Sequence, residues 1–496
     1  MKIAYIKSHY NLCKSLIKFD KLSDYLIKEG YDGAVLCDDT LAGSVDFYKT
    51  LTKKKLKPIF GLAHKDSLYI AQNKDGWNDL LALNNDQIIP PHSGNVKTLL
   101  NKDSVGYSEP IVYLNKEDAR DHRVLLAVGY ETTEQQLLSF PKDLNPQDEE
   151  YLKSDDFWLK SPGRDFPFEV DDFSILGTPS LPKFDPTLDS DALLKQWCRD
   201  GWVEKIQGKK DKNPAYLDRV NYELGVLQGA KLSDYFLILS DICKYMASQG
   251  WLTPIGRGSA AGCIVSYLTG ITKVDPIQYN LIFERFYNAG RIGSLPDIDL
   301  DVQTEHREDI IKYVQSKYGS DRVMQMCTYL KMKGRNAIQD VLRVSQQVTQ
   351  EERNRITKFI PDESKIVGDL QKMKENGEEP SIIMWALQNM PDKLKQWCYL
   401  NDKKELDGRL AKKFEQAIRL EGTIKTRGRH AAGITIASRP LKELCPIVNM
   451  DGENVTAYEM RAMEDIGVLK LDVLGVSLLS KISTCERLIE SNEIQD

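Results

Sequence analysis

"SLPDIDLDVQ", residues 294–303, sets three aspartates at alternate positions: Asp297, Asp299 and Asp301. In an extended strand alternate side chains share a face, so the spacing predicts three carboxylates on one face and Ile298, Leu300 and Val302 on the other. Carboxylates this close repel, and each disfavours the charge of its neighbours. Divalent metal ions are the usual counter-charge. A polar strand edge or turn is the plainer alternative for the stretch taken alone, although Asp has low strand propensity.

Two further segments bear on that choice. "PIGRGSAAG", residues 254–262, places three glycines and a serine before the apolar run CIVSYLTG. Glycine allows close backbone approach to a ligand, and a helix start offers free N–H groups, so the loop can cradle a triphosphate. It has neither Walker nor Rossmann spacing, and a plain Gly-rich turn is the competing reading. "GVLKLDVLG", residues 467–475, presents Lys470 and Asp472 on one face of an apolar strand, with Leu471 and Val473 on the other. Arg285 and Arg291 shortly precede the aspartates, as anion ligands or as structural ion pairs. Carboxylates that hold two divalent ions, with amides and cations that neutralise a triphosphate, have the chemical logic of nucleotidyl transfer.

The bulk numbers set the frame. The 496 residues are too many for one core and predict about three domains. The apolar fraction of 41% and charged fraction of 28% are those of a globular protein. No apolar run approaches a bilayer span, the N-terminus lacks a signal-peptide core, and no membrane partner is expected. Nine scattered cysteines without a CxxC pair predict reduced thiols in a cytoplasmic protein. The net charge of −6 leaves a nucleic-acid partner open.

Along the chain, residues 1–60 read as βαβαβ: strands at MKIAYI, DGAVLCDD and KPIFGLA, with helices at KLSDYLIKEGY, closed by Gly30, and SVDFYKTLTKKKL. The Pro- and Asp-rich segment 140–190 predicts an extended connection. Helical patterns dominate 190–250 and 329–427, and strands follow at AAGITIAS and GVLKLDVLGV.

The stretch "PIGRGSAAGCIVSYLTGITKVDPIQYNLIFERFYNAGRIGSLPDIDLDV" strongly resembles the palm of the C-family replicative DNA polymerases, the α subunit of bacterial DNA polymerase III. The resemblance continues through "HREDIIKYVQSKYG", "RHAAGITIASRPLKELCPI" and "VLKLDVLGVSLLS". It covers the chain weakly over residues 1–150 and densely from 181 onward. It implies an α+β multidomain protein: an α/β PHP-like barrel remnant with linker (1–176), a polymerase β-type nucleotidyltransferase palm in two parts (177–328 and 428–480), a mainly helical thumb (329–427) and the start of fingers (481–496).

The implied activity is template-directed DNA synthesis on a primer 3′-hydroxyl, with two Mg²⁺, primer–template DNA and deoxynucleoside triphosphates. Carried over from the family motif, Asp297, Asp299 and Asp472 are the metal ligands and catalytic residues, with Asp301 in reserve. Val302 stands where the family has Phe. Gly258, Ser259, Arg285, Arg291 and Lys470 match residues near the incoming triphosphate. The run "KMKGRNAIQDVLR" (Lys331, Lys333, Arg335, Arg343) lies in the thumb position and "KTRGRH" adds Lys425, Arg427 and Arg429. Contact with DNA phosphates is the expectation for both, against a solvated helix face. His430 falls in a family motif, near the site or as packed structure.

Two departures shape the expectation. At the positions where metal-binding PHP domains carry His-x-His, Thr-Asp-His and Gly-x-Glu, this chain has Tyr5 and Lys7, Cys37-Asp38-Asp39, and Ala63. Lysine and tyrosine cannot replace imidazole ligands, so this domain is expected to be metal-free, without nuclease or phosphatase activity. The spacing of His9, His64 and His92 supports no substitute site. The chain also ends 24 residues after Asp472, where the family continues into fingers, clamp-binding and OB-fold regions. The expectation is a truncated chain or a split polymerase completed by a second polypeptide, with any sliding clamp engaged only indirectly. The alternatives are a catalytically inactive DNA- or partner-binding replication subunit and a template-independent nucleotidyltransferase.

Overall fold

The structure, a computed structural model, describes residues 1–65, 67–85, 94–100, 110–137, 164–210, 213–288, 290 and 295–490. Arg291 and His92 lie outside the described residues, as does part of the 140–190 connection. The chain is a mixed α and β protein that divides into two compact units. One comprises Met1–Phe173 with Tyr329–Gly428, the other Ser174–Thr328 with Arg429–Asp496.

The first unit opens on strands β1 (Lys2–Ile6), β2 (Gly33–Leu36), β3 (Lys57–His64), β4 (Ser67–Ala71), β5 (Val96–Leu100) and β6 (Arg164–Asp165). They form an open sheet in the order β5-β4-β3-β2-β1-β6 among the described residues. β1, β2 and β3 run parallel, as the βαβαβ pattern predicts. Ile3, Ala4, Tyr5 and Ile6 in β1, and Ala34, Val35 and Leu36 in β2, are all buried, as expected for parallel strands covered on both faces. Phe19, Leu22 and Leu26 line the inner face of the helix Phe19–Lys28. Gly30, at φ +68°, ends it: its N–H donates to Ile27 O and that of Tyr31 to Leu26 O, a Schellman closure that needs the left-handed conformation. The helices Ala119–Gly129, Gly334–Ser345 and Ala411–Leu420 share one apolar core in this unit, through Leu125, Ile338, Leu342 and Phe414.

Further along come β7 (Asp299–Val302) and β8 (Val323–Lys331), a ribbon of β9 (Tyr399–Leu400) and β10 (Leu406–Asp407), and β11 (Ile424–Ile436), β12 (Ile447–Met450), β13 (Glu453–Thr456) and β14 (Leu469–Gly475). The second sheet has the order β12-β13-β8-β11-β14-β7. Three helices, Ser190–Lys205, Pro214–Gly229 and Ser233–Ser248, join its core through Leu194, Leu224, Phe236 and Ile242. Asp189 and Asn213 cap the first two, and Pro214 follows Asn213 at the first helical position, where its missing N–H costs nothing. β8, β12 and β13 add strands that the sequence pattern did not suggest, and β11 starts at Ile424, so that "KTRGRH" is strand. No helix among the described residues is long and apolar enough to cross a membrane.

Candidate active site

β7 and β14 form a parallel pair in which Asp299 lies opposite Asp472 and Asp301 opposite Leu474. The register follows from hydrophobic alternation. Leu300 and Val302 of β7, with Leu469, Leu471 and Val473 of β14, are at most 1% exposed and face the core. The intervening Asp299, Asp301, Lys470 and Asp472 therefore face the other way. A slip of one residue would bury the charges and expose the leucines.

Asp297 precedes the strand rather than belonging to it. Its segment is pinned from beneath by Tyr235, whose buried hydroxyl donates to Pro296 O (2.9 Å) and accepts from Ile298 N (3.2 Å). One oxygen from each of Asp297, Asp299 and Asp472 falls within 4.8 Å of the others, and among the described residues these three form the candidate metal-holding group.

Two cations brace the carboxylates. Lys470 Nζ stands 2.9 Å from Asp472 Oδ2 and 3.3 Å from Asp297 Oδ1, with its side chain only 8% exposed. Burial opposes the charge on Lys470, but Asp472 and Asp297 outweigh it and hold its pKa above the ordinary lysine value. Arg257 reaches the other two: Nη2 is 3.3 Å from Asp299 Oδ2 and Nε is 2.9 Å from Asp301 Oδ1. The Asp299 pKa is raised, first by burial and then by Asp297 and Asp472, against the pull of Arg257 and Lys470. Asp472 Oδ1 is buried and has no hydrogen-bond partner. A buried carboxylate oxygen without a partner is costly, and a cation there would relieve it. Three carboxylates are also the hard oxygen donors that Mg²⁺ takes, so the residues present fit that ion.

The Gly258–Ser259 loop folds as a 3-10 turn, Gly258–Gly262, with Gly258 at φ +66° and both residues exposed. The helix that follows is only Ile264–Leu268, and its start is already occupied. The carboxylate of Glu223, fully buried, accepts from Ile264 N (2.8 Å), Val265 N (3.2 Å) and Cys263 Sγ (3.1 Å). Arg219 Nε, 2.6 Å from Glu223 Oε1, balances that charge. The expectation that this helix start receives an anion is therefore corrected: an internal carboxylate takes those amides, and only the loop itself is left to meet a phosphate. Arg285 lies exposed on the turn Phe283–Arg285, with no carboxylate partner among the described residues.

His430 sits beside the cluster. Its Nδ1 accepts from Gly433 N (2.8 Å), which places the ring proton of the neutral form on Nε2. Gly433 lies opposite Asp472 in the β11–β14 pair, and a methyl at Gly433 would stand 3.0 Å from His430 Nδ1 and 3.5 Å from Asp472 Oδ1.

The basic residues expected to meet DNA are mostly paired in place. Lys333 bonds Glu363, Arg335 Nη1 lies 3.1 Å from Asp362 Oδ1, Lys425 Nζ 2.7 Å from Asp340 Oδ2, and Arg429 bonds Glu453. Lys331 and Arg427 have no carboxylate partner among the described residues. The exposed pairs of Lys333, Arg335 and Arg429 contribute little stability, so a phosphate can exchange for their carboxylates at small cost, whereas Asp340 is buried and holds Lys425 more firmly.

In the first unit, the positions that differ from the metal-binding pattern hold an internal ion pair. Lys7 Nζ lies 2.8 Å from Asp39 Oδ1, and Asp38, fully buried, accepts from Ser8 N (2.6 Å), the Ser8 hydroxyl and Asn11 Nδ2. Burial pushes the Asp38 pKa up to about 6. His9 is buried against Tyr10 and Phe19, and burial lowers its pKa to about 3.

Sequence reasoning missed Arg257, Tyr235 and Glu223. Arg257 was visible inside "PIGRGSAAG", but nothing local says that it reaches two aspartates on a strand.

Comparison with known proteins shows the family of the chain. Residues 192–475 match the profile of the family described as "Bacterial DNA polymerase III alpha NTPase domain". The chain is 30% identical to DNA polymerase III subunit alpha of Aquifex aeolicus, over 94% of this chain and 42% of that protein. It is 29% identical to the Bacillus subtilis protein of the same name (98% and 49%) and 35% identical to that of Thermus aquaticus (56% and 21%). The chain thus spans less than half the length of these curated relatives. With the matched region containing Arg257, Asp299 and Asp472, the chain belongs to the bacterial DNA polymerase III alpha family.

Proposed function

We propose that the chain is the catalytic portion of a replicative DNA polymerase, adding deoxynucleotides to a primer 3′-hydroxyl on a DNA template. In this reading the second unit is a palm of the polymerase β type. Residues 329–427 are the thumb, and the N-terminal module is a PHP-like domain whose Lys7–Asp39 pair stands in place of metals. The observation that carries the proposal is the Asp297–Asp299–Asp472 group, with the buried, unpartnered Oδ1 of Asp472 within it.

Asp297, Asp299 and Asp472 would hold two Mg²⁺ ions, which when bound activate the 3′-hydroxyl and neutralise the leaving pyrophosphate. The remaining work belongs to the chain. Asp472 and Asp299, fixed opposite each other, set the donor geometry. Lys470 keeps Asp472 and Asp297 turned inward, and with the exposed Gly258–Ser259 turn, Arg285 and Arg291 it would offset the charge of the triphosphate. Lys331, Lys333, Arg335, Lys425, Arg427 and Arg429 would contact DNA phosphates, with affinity that falls steeply as salt rises.

Single-nucleotide extension of a labelled primer–template with Mg²⁺ tests this reading, comparing the chain with Asp299→Asn and Asp472→Asn. Extension by the wild-type chain and its loss in both variants is the expected result. Salt-sensitive DNA binding with no extension by the chain alone would mean an incomplete enzyme, and no extension with a second polypeptide carrying the fingers region added would favour a binding subunit instead.

A further inference from the structure

Arg257 stands between two of the aspartates. It is bonded at once to Asp299, a member of the candidate metal group, and to Asp301, which lies outside that group. The shorter contact, 2.9 Å, goes to Asp301, whose side chain is 19% exposed; the longer, 3.3 Å, goes to Asp299 at 31%. Arginine stays protonated at any pH the fold survives, so it cannot leave Asp299 by losing a proton and must move.

We propose that Arg257 is an exchangeable counter-ion of the metal site: anchored by Asp301, it covers Asp299 in the ion-free protein and is displaced from Asp299 when a divalent cation binds. The proposal rests on the metal reading above and assigns Asp301 the role of anchor rather than ligand. Arg257 and Asp301 are then positioning residues that act through Asp299.

Three observations support it. A cation bound to Asp299 would sit about 2.1 Å from a carboxylate oxygen, where it is repelled by the guanidinium held 3.3 Å from Oδ2 of the same group, so the two positive charges compete for Asp299. The Arg257 side chain is 51% exposed, against 8% for Lys470, so of the two bracing cations Arg257 is the one with room to withdraw. Its backbone lies between Gly256 at φ +110° and Gly258 at φ +66°, and a Cβ at Gly258 would meet nothing within 4 Å, which leaves open space on that side of the turn. Asp301 keeps its own bond to the fork through the exchange, so the side chain needs to release only one of its two partners.

The test is Mn²⁺ binding to the whole chain, without DNA or nucleotide, read from the loss of the free-ion signal in electron paramagnetic resonance. The variants are Arg257→Gln, Asp301→Asn and Asp299→Asn, each checked for an unchanged melting profile. Removing the competing charge should tighten Mn²⁺ binding about three- to tenfold in Arg257→Gln. Asp301→Asn should stay within about threefold of wild type, because a charge lost near the site is offset by a freed Arg257. Asp299→Asn should bind at least about tenfold more weakly. Wild-type binding that depends on Asp299 but is no tighter in Arg257→Gln would overturn the exchange while leaving the metal site standing. Loss in Asp301→Asn as large as in Asp299→Asn would make Asp301 a ligand and overturn the anchor. Absence of Asp299-dependent binding in both wild type and Arg257→Gln would overturn the metal reading and the proposal together.

Discussion

Asp299 and Asp472 stand directly opposite each other across the parallel strands β7 and β14, although a whole helical region separates them in the chain. Nothing but tertiary folding brings them together, and the leucines and valines beneath hold them there. Lys470 and Arg257 offset the repulsion of the two carboxylates only from the sides, and a divalent ion between them would balance both at once. Mg²⁺ should therefore raise the melting temperature of the wild-type chain, by about 3 kcal/mol in stability at a hundredfold excess over the dissociation constant. In Asp472→Asn the Mg²⁺-dependent shift should vanish and the ion-free melting temperature should fall, because the buried Lys470 keeps only the exposed Asp297 as a partner. Calorimetry with and without MgCl₂ reads both.

Lys470 carries the charge balance of Asp297 and Asp472 in the absence of metal. Lys470→Met keeps the stem and removes the ammonium, leaving two facing carboxylates uncompensated. The cost should be about 3 kcal/mol in urea denaturation without divalent ions, and Mg²⁺ should recover most of it. An equal loss with and without Mg²⁺ would mean that Lys470 and the ion do not share the same carboxylates.

Gly433 leaves room for both His430 and Asp472. Its backbone is extended, so alanine brings no conformational strain; the added methyl collides with Met326 Cε and crowds the His430 ring. Met326 can swing away, whereas the His430 ring and the Asp472 carboxylate stand at the candidate metal group. Gly433→Ala should cost about 1–2 kcal/mol of stability yet weaken the Mg²⁺-dependent melting shift by more than that loss accounts for.

Glu223 and Arg219 form a buried pair that closes the start of the 264–268 helix. Glu223→Gln removes the charge that balances Arg219 and turns an amide NH₂ against donors, either Arg219 or the Cys263–Val265 group, and should cost about 3 kcal/mol. The loss should appear in the unfolding transition of the second unit, read by proteolysis fragments along a urea series.

Acidification acts on the first unit through buried histidines. His122, whose Nε2 lies 2.8 Å from Lys14 O, is held neutral by burial with its pKa lowered to about 4. Above about pH 6.5 the folded and unfolded chains are both neutral at this site and its contribution is full. As pH falls below that value the unfolded chain takes up a proton that the folded one refuses, and stability is lost until the folded pKa is reached. His122→Gln keeps a donor toward Lys14 but does not titrate. Between pH 7 and pH 5 the wild-type chain should lose about 2 kcal/mol more than this variant. Parallel losses in the two proteins would contradict the assignment.

Much of the site was legible because strand alternation is a local signal. The faces of β7 and β14 follow from period two in "DIDLDV" and "LKLDVLG", and the parallel core of β1 to β3 follows from βαβαβ. What was not legible is non-local. The three aspartates look equivalent in sequence, but Tyr235 and Lys470 draw Asp297 to the cluster from outside the strand, while Arg257 draws Asp301 away from it. The helix after the Gly-Ser loop looks like an open anion site until Glu223, from another helix, is seen to fill it. The basic runs look free until Asp340, Asp362, Glu363 and Glu453 are placed beside them.

The central claim is that Asp297, Asp299 and Asp472 hold the ions of nucleotidyl transfer, and anomalous diffraction from crystals soaked in Mn²⁺ and a deoxynucleoside triphosphate tests it most directly. The account predicts two anomalous peaks about 3.5–4 Å apart, both touching the Asp299–Asp472 pair, with Arg257 withdrawn from Asp299. Mn²⁺ bound elsewhere, with the Arg257–Asp299 contact intact, would contradict it.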